Sequence, residues 1–97
     1  MKKRETFGEQ IEREINEEPL LKRLCYQEEL VIDVSEAMLE IMEKKKISRK
    51  EMAKKLFFRE DYFDDVVTGK INIPIRMISD IFLVLGYKVN FSVIKDK

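Results

Sequence analysis

Four carboxylates within six residues, Glu60-Asp61 and Asp64-Asp65, form the densest chemistry-bearing group in this 97-residue chain. Carboxylates can serve as general acid and base, hold a metal ion, or receive a basic partner. The chain has no His and a single thiol, Cys25, which leaves no Ser-His-Asp triad, Cys-His pair or zinc cluster. Successive residues on a helix diverge by about 100°, so Asp64 and Asp65 are poorly placed to share one ion. No glycine-rich loop accompanies the acids. The expectation is therefore a protein that is not an enzyme and needs neither metal nor other cofactor, and binding becomes the chemistry to explain.

A contrasting set lies immediately upstream. Residues 47–59 carry Arg49, Lys50, Lys54, Lys55 and Arg59 against Glu51 alone, whereas residues 60–65 carry four acids and no cation. Over the whole chain the signs cancel, 19 Lys plus Arg against 19 Asp plus Glu, with 44% apolar and 39% charged residues. Dense but balanced charge argues against a disordered polyelectrolyte and for a helix-rich folded protein. A chain of this length buries roughly 60–65% of the surface its unfolded form exposes, enough for one modest core. The basic start Met1-Lys2-Lys3-Arg4 runs into Glu5, Glu9 and Glu12, not into an apolar signal region, and no apolar run approaches the roughly 20 residues of a membrane span. A cytoplasmic protein that does not engage membranes is expected, with Cys25 a buried structural thiol beside Leu24 and Tyr26.

Helical periodicity supplies the elements that position these charges. Phe7, Ile11 and Ile15 predict a short amphipathic helix over residues 6–16, ended by Pro19. Leu20, Leu24, Val31, Val34, Met38, Ile41 and Met42 predict one long helix to about Lys46, or two with a joint near Leu30. Lys44, Lys45 and Lys46 then meet the partial negative charge of its C-terminus. Ser48 with Glu51 is a capping-box signature opening a helix through Leu56. Phe63, Val66 and Val67 mark a brief helix from Glu60 to Thr68, with Gly69 where a left-handed cap is wanted. Pro74 opens a further helix carrying Ile75, Ile78, Ile81, Phe82 and Leu85, which Gly86 ends. From Tyr87 the period changes to two: Tyr87, Val89, Phe91 and Val93 alternate with Lys88, Asn90 and Ser92, the pattern of a single strand. The organisation read from this is a helical extension over 1–32, a helical domain over 33–86 and a strand over 87–97.

Two short helices joined by about three residues, with a longer helix before and another after, are the helix-turn-helix arrangement. Residues 47–86, ISRKEMAKKLFFREDYFDDVVTGKINIPIRMISDIFLVLG, resemble the lambda-repressor-like domain of the xenobiotic-response-element family of bacterial regulators. Ile47, Ser48, Arg49, Met52 and Ala53 stand where that family has Leu-Thr-Gln and then Leu-Ala. Leu56 closes the second helix, Phe63 takes the buried aliphatic position of the recognition helix, Gly69-Lys70 matches the Gly-Lys after it, and Leu85-Gly86 ends the domain. The flanking segments, with Phe7, Pro19 and the trailing strand, look like antitoxins of host-inhibition-of-growth type. The resemblance implies a mainly α fold: a lambda-repressor-like helix-turn-helix bundle with an N-terminal helical extension and a C-terminal strand. It implies a DNA-binding transcriptional regulator, in the antitoxin case one repressing its own operon. It also implies that Arg49, Glu60, Asp61 and Asp64 occupy base-reading positions, and that Lys50, Arg59, Thr68, Lys70 and Asn72 join them on phosphates or bases of double-stranded DNA.

The departures from that pattern fall on the reading head. Phe57 replaces the usual turn glycine, so the turn must avoid positive φ there, hold Phe57 strained, or change its crossing angle. Three of the four reading positions are acidic, although phosphate neutralisation supplies most of the affinity of DNA binders. A carboxylate can accept from cytosine N4, worth roughly 1–3 kcal/mol of discrimination, and acids in a first helical turn gain about 0.3–1 kcal/mol from the dipole. Those terms cover Glu60 and Asp61. Asp64 and Asp65, in mid-helix, need solvent, Lys54 and Lys55, or a basic partner. An alternative function follows: a protein-interaction module or inhibitor whose Glu60, Asp61, Asp64 and Asp65 engage a basic protein such as a toxin. The strand, with no other strand in the chain to pair, predicts a homodimer through Tyr87, Val89, Phe91 and Val93.

Overall fold

The structure, a computed structural model, describes residues 19–96; the helix expected over residues 6–16 lies outside them. The described residues are mainly helical: α1 Pro19–Lys45, α2 Arg49–Leu56, α3 Glu60–Val67 and α4 Ile75–Val84. The chain divides into two compact units, Met1–Asp33 and Val34–Lys97. Pro19 opens α1, where its missing N–H costs nothing and its fixed φ suits a first turn. The helix then runs unbroken past Leu30.

Within the second unit the core is a single cluster. Met38 and Met42 of α1, Met52 and Ala53 of α2, Phe63, Val66 and Val67 of α3, and Ile81, Phe82 and Leu85 at the end of α4 are buried together. Val34, Ala37 and Ile41 complete the α1 stripe at the helical spacing of three and four, and α2 packs against both α3 and α4. None of the described buried residues is polar or charged, so the cluster is held by apolar burial.

All four helices of the described residues end in the same device. In a Schellman motif the chain reverses through one left-handed residue, and the two N–H groups that follow the helix bond back to carbonyls near its end. Lys46 (φ 58°), Phe57 (φ 59°), Gly69 (φ 75°) and Gly86 (φ 88°) are those left-handed residues. Their N–H groups donate to Glu43, Lys54, Val66 and Leu83, and the next residues, Ile47, Phe58, Lys70 and Tyr87, donate to Met42, Ala53, Asp65 and Phe82, at 2.8–3.2 Å. Ile47 and Phe58 then pack on the core, which fixes how each helix hands over to the next.

Two expectations are corrected. Cys25 is exposed, not buried: together with Leu21, Leu24, Tyr26 and Leu30 it lies before Val34, where the core stripe of α1 begins. Apolar spacing alone does not say which stretch of a long helix meets a core. Residues 87–96 form no strand. A strand exists only with a partner ladder, and no described segment of the same chain offers one.

Candidate nucleic-acid interface

The surface that could face a nucleic acid is built by α2, the three residues Phe57-Phe58-Arg59, and α3. Helix α2 starts on a complete capping box: Ser48 Oγ accepts the Glu51 N–H at 3.1 Å, and Glu51 Oε1 accepts the Ser48 N–H at 3.2 Å. Its inner face, Met52 and Ala53, is buried, while Lys50, Lys54 and Lys55 are exposed. At the turn, Phe57 takes the left-handed conformation (φ 59°, ψ 37°) that a glycine would adopt without cost, and its ring is 96% exposed. Phe58 turns inward and meets Tyr62 edge to face, ring centroids 5.2 Å apart. The Tyr62 hydroxyl reaches Met77 Sδ of α4 at 3.8 Å, so the turn is anchored from both sides. Phe63 is completely buried, as its place on α3 requires.

The acids of α3 divide into two kinds. Asp61 Oδ1 accepts the Tyr62 N–H at 2.8 Å, satisfying one of the orphan donors of the helix start, and Oδ2 holds the Arg59 guanidinium at 3.0 Å. Asp64 pairs with Arg49 across the α2–α3 interface at 3.5 Å. Arg49, and neither Lys54 nor Lys55, is thus its counter-charge. Both pairs are well exposed, so each is worth no more than about 1 kcal/mol; their importance is in where they leave charge. Glu60 and Asp65 form no ion pair among the described residues, and neither do Lys50, Lys54, Lys55 or Lys70.

The remaining positions are dispersed. Thr68 Oγ1 donates to the Asp64 carbonyl at 2.7 Å, capping α3 and leaving that hydroxyl only as an acceptor for a ligand. Lys70 follows the left-handed Gly69 with an exposed side chain, and Asn72 is exposed in the loop before Pro74. The geometry thus joins Arg49 to Asp64 and Arg59 to Asp61, and forms no hydrogen bond or ion pair among Lys50, Thr68, Lys70 and Asn72. The Arg49–Asp64 pair had no local signal, since the two stand fifteen positions apart and meet only through helix packing. Among the described residues no group of three or more Cys, Asp or Glu is placed to hold a metal ion, and no helix is long and apolar enough to cross a membrane.

Comparison with protein-family models, with curated proteins and with solved structures finds no match to this chain.

Proposed function

We propose that α2, the turn and α3 form the helix-turn-helix of a double-stranded-DNA-binding transcriptional regulator acting in the cytoplasm, with α3 as the reading helix. Likeness to autoregulating antitoxins extends the proposal to control of its own operon. The observation that carries it is the turn: two eight-residue helices joined by three residues, the first of them left-handed, over a shared core of Met52, Ala53 and Phe63. Phe57 holds the conformation of the turn glycine although its side chain opposes it. The ion pairs support the same reading, because Asp61 and Asp64 reach a groove already partnered and repel phosphates less than bare carboxylates would. Lys50 and Lys70, in no ion pair among the described residues, supply cations for phosphates.

The test is a titration of the full chain against the DNA upstream of its own gene, at low and at physiological salt. Affinity should fall steeply with salt, and Lys50→Ala and Lys70→Ala should each flatten the dependence by about one unit of slope. Asp64→Asn, which releases Arg49, should strengthen binding to unrelated DNA. Absence of binding at low salt would defeat the proposal.

One observation favours a second reading. The pairs that neutralise two acids also occupy Arg49 and Arg59, two of the cations a DNA binder would use, while Glu60 and Asp65 stay uncompensated. A basic protein could take that acidic remainder. In that case Glu60→Lys with Asp65→Lys abolishes capture of the neighbouring gene's product, and Lys70→Ala leaves capture intact.

A further inference from the structure

Phe57, Lys54 and Lys55 have no part in the duplex contacts proposed for Lys50 and Lys70. Phe57 is the most exposed large apolar side chain of the described residues, at 96%. Its backbone is held where a Cβ is penalised, at φ 59°, and its ring joins no ring or cation contact among those residues. Strain that brings no burial in the free chain points to something bound. The platform beneath the ring is fixed, because the Phe57 N–H donates to the Lys54 carbonyl at 3.2 Å, the Phe58 N–H donates to the Ala53 carbonyl at 2.8 Å, and Phe58 packs on the core. The surface around it is charged. Lys54 and Lys55, in the last turn of α2, are exposed and in no ion pair among the described residues, and Arg59 holds Asp61.

We infer that this tip binds single-stranded nucleic acid, with one unpaired base stacked on the Phe57 ring and the phosphates on either side of it held by Lys54 and Lys55. Over residues 54–61 Phe57 is the one apolar side chain left exposed, since Leu56 and Phe58 pack against the core. A protein partner would need a wider apolar centre, and lysine is depleted from such centres. A bilayer would gain little from a single ring. A base differs from both: it presents one flat face with an anion on each side, and stacking on an aromatic side chain works for any base. Bases of a duplex already stack on one another and must leave the helix at a cost before a side chain can replace their neighbours. Those of a single strand are open. A ring that is already fixed and exposed also loses little freedom when a base lies on it. The uncompensated Glu60 opposes phosphate, so the affinity is modest and greatest at low salt. The inference is independent of duplex reading, and its test does not require it.

The chain contains no Trp, so Phe57→Trp in the full-length protein places a single indole reporter at the tip. Titration with single-stranded oligothymidylate at low salt should quench its emission without a blue shift, as base stacking does, whereas the same strand annealed to its complement should quench it weakly. Oligouridylate run beside it separates an RNA strand from a DNA strand, and quenching by either supports the inference. With a labelled strand followed by fluorescence anisotropy, Phe57→Ala should weaken binding roughly ten-fold relative to the parent chain, with helical circular dichroism unchanged. Lys54→Ala and Lys55→Ala should each reduce the salt slope by about 0.7. Emission that neither strand quenches overturns the inference, as does a Phe57→Ala chain that binds as tightly as the parent. Equal quenching by the duplex overturns the preference for single strands. A blue shift on phosphatidylglycerol vesicles or on polyglutamate, with no quenching by either strand, assigns the ring to another occupant and overturns the inference as well.

Discussion

Phe57 bears two unfavourable features at one position. A left-handed backbone costs a residue with a Cβ about 1–2 kcal/mol, and the exposed ring buries nothing to offset it. The conformation persists because the Schellman bonds of Phe57 and Phe58 satisfy the last carbonyls of α2 and deliver Phe58 onto the core. Phe57→Gly keeps those bonds and removes the strain. After the larger unfolded-state entropy of glycine is discounted, it should stabilise the protein by roughly 0.5–1 kcal/mol. Phe57→Ala keeps the left-handed cost and should change stability little. Denaturant midpoints of the two variants decide: a destabilised Phe57→Gly would mean that the ring contributes to the folded state. At Phe57 the sequence leaves three options open: avoiding positive φ, bearing the strain or changing the crossing angle. The core contact of Phe58, visible only in three dimensions, is what makes the strained option favourable.

At the scale of elements, legibility follows the range of the interaction. The capping box of Ser48 and Glu51, the left-handed Gly69 and Gly86, and the helices between them are set by residues within four positions of each other, and each is readable in order along the chain. Cys25 and the Arg49–Asp64 pair depend on which surfaces meet, for which spacing within one helix carries no information. The segment after Gly86 is readable as a period and not as a strand, since no described segment of the chain supplies a ladder for it. The shared helix-ending device makes a graded prediction. Gly69→Ala should destabilise by about 1 kcal/mol, while Lys46→Gly should stabilise, because the same φ carries a penalty in one case and not in the other. Thermal melts of both variants should move in opposite directions. Movement in the same direction would show that the turns are not held as described.

For the molecule as a whole, the described core is small and unevenly distributed. Ten buried side chains, three of them Met, come from residues 38–85, and none from residues 19–33. Helix propensity alone rarely sustains a helix in water, so tertiary burial decides where amides are protected. Amides of Met42, Ala53, Val66 and Phe82 should therefore exchange only through global opening, whereas those of Cys25–Leu30, in the exposed part of α1, should exchange through local opening and much sooner. A unit of this size has only about 3–10 kcal/mol of stability. Phe63→Ala, which removes a completely buried ring and leaves a cavity, costs about 3–5 kcal/mol, a large fraction of that total. In Phe63→Ala the slow amides of α2, α3 and α4 should accelerate together by two to four orders of magnitude, as one cooperative unit requires. Acceleration confined to α3, with α2 and α4 still protected, would mean that the helices do not share one core and would remove the rigid frame on which the α2–α3 surface depends.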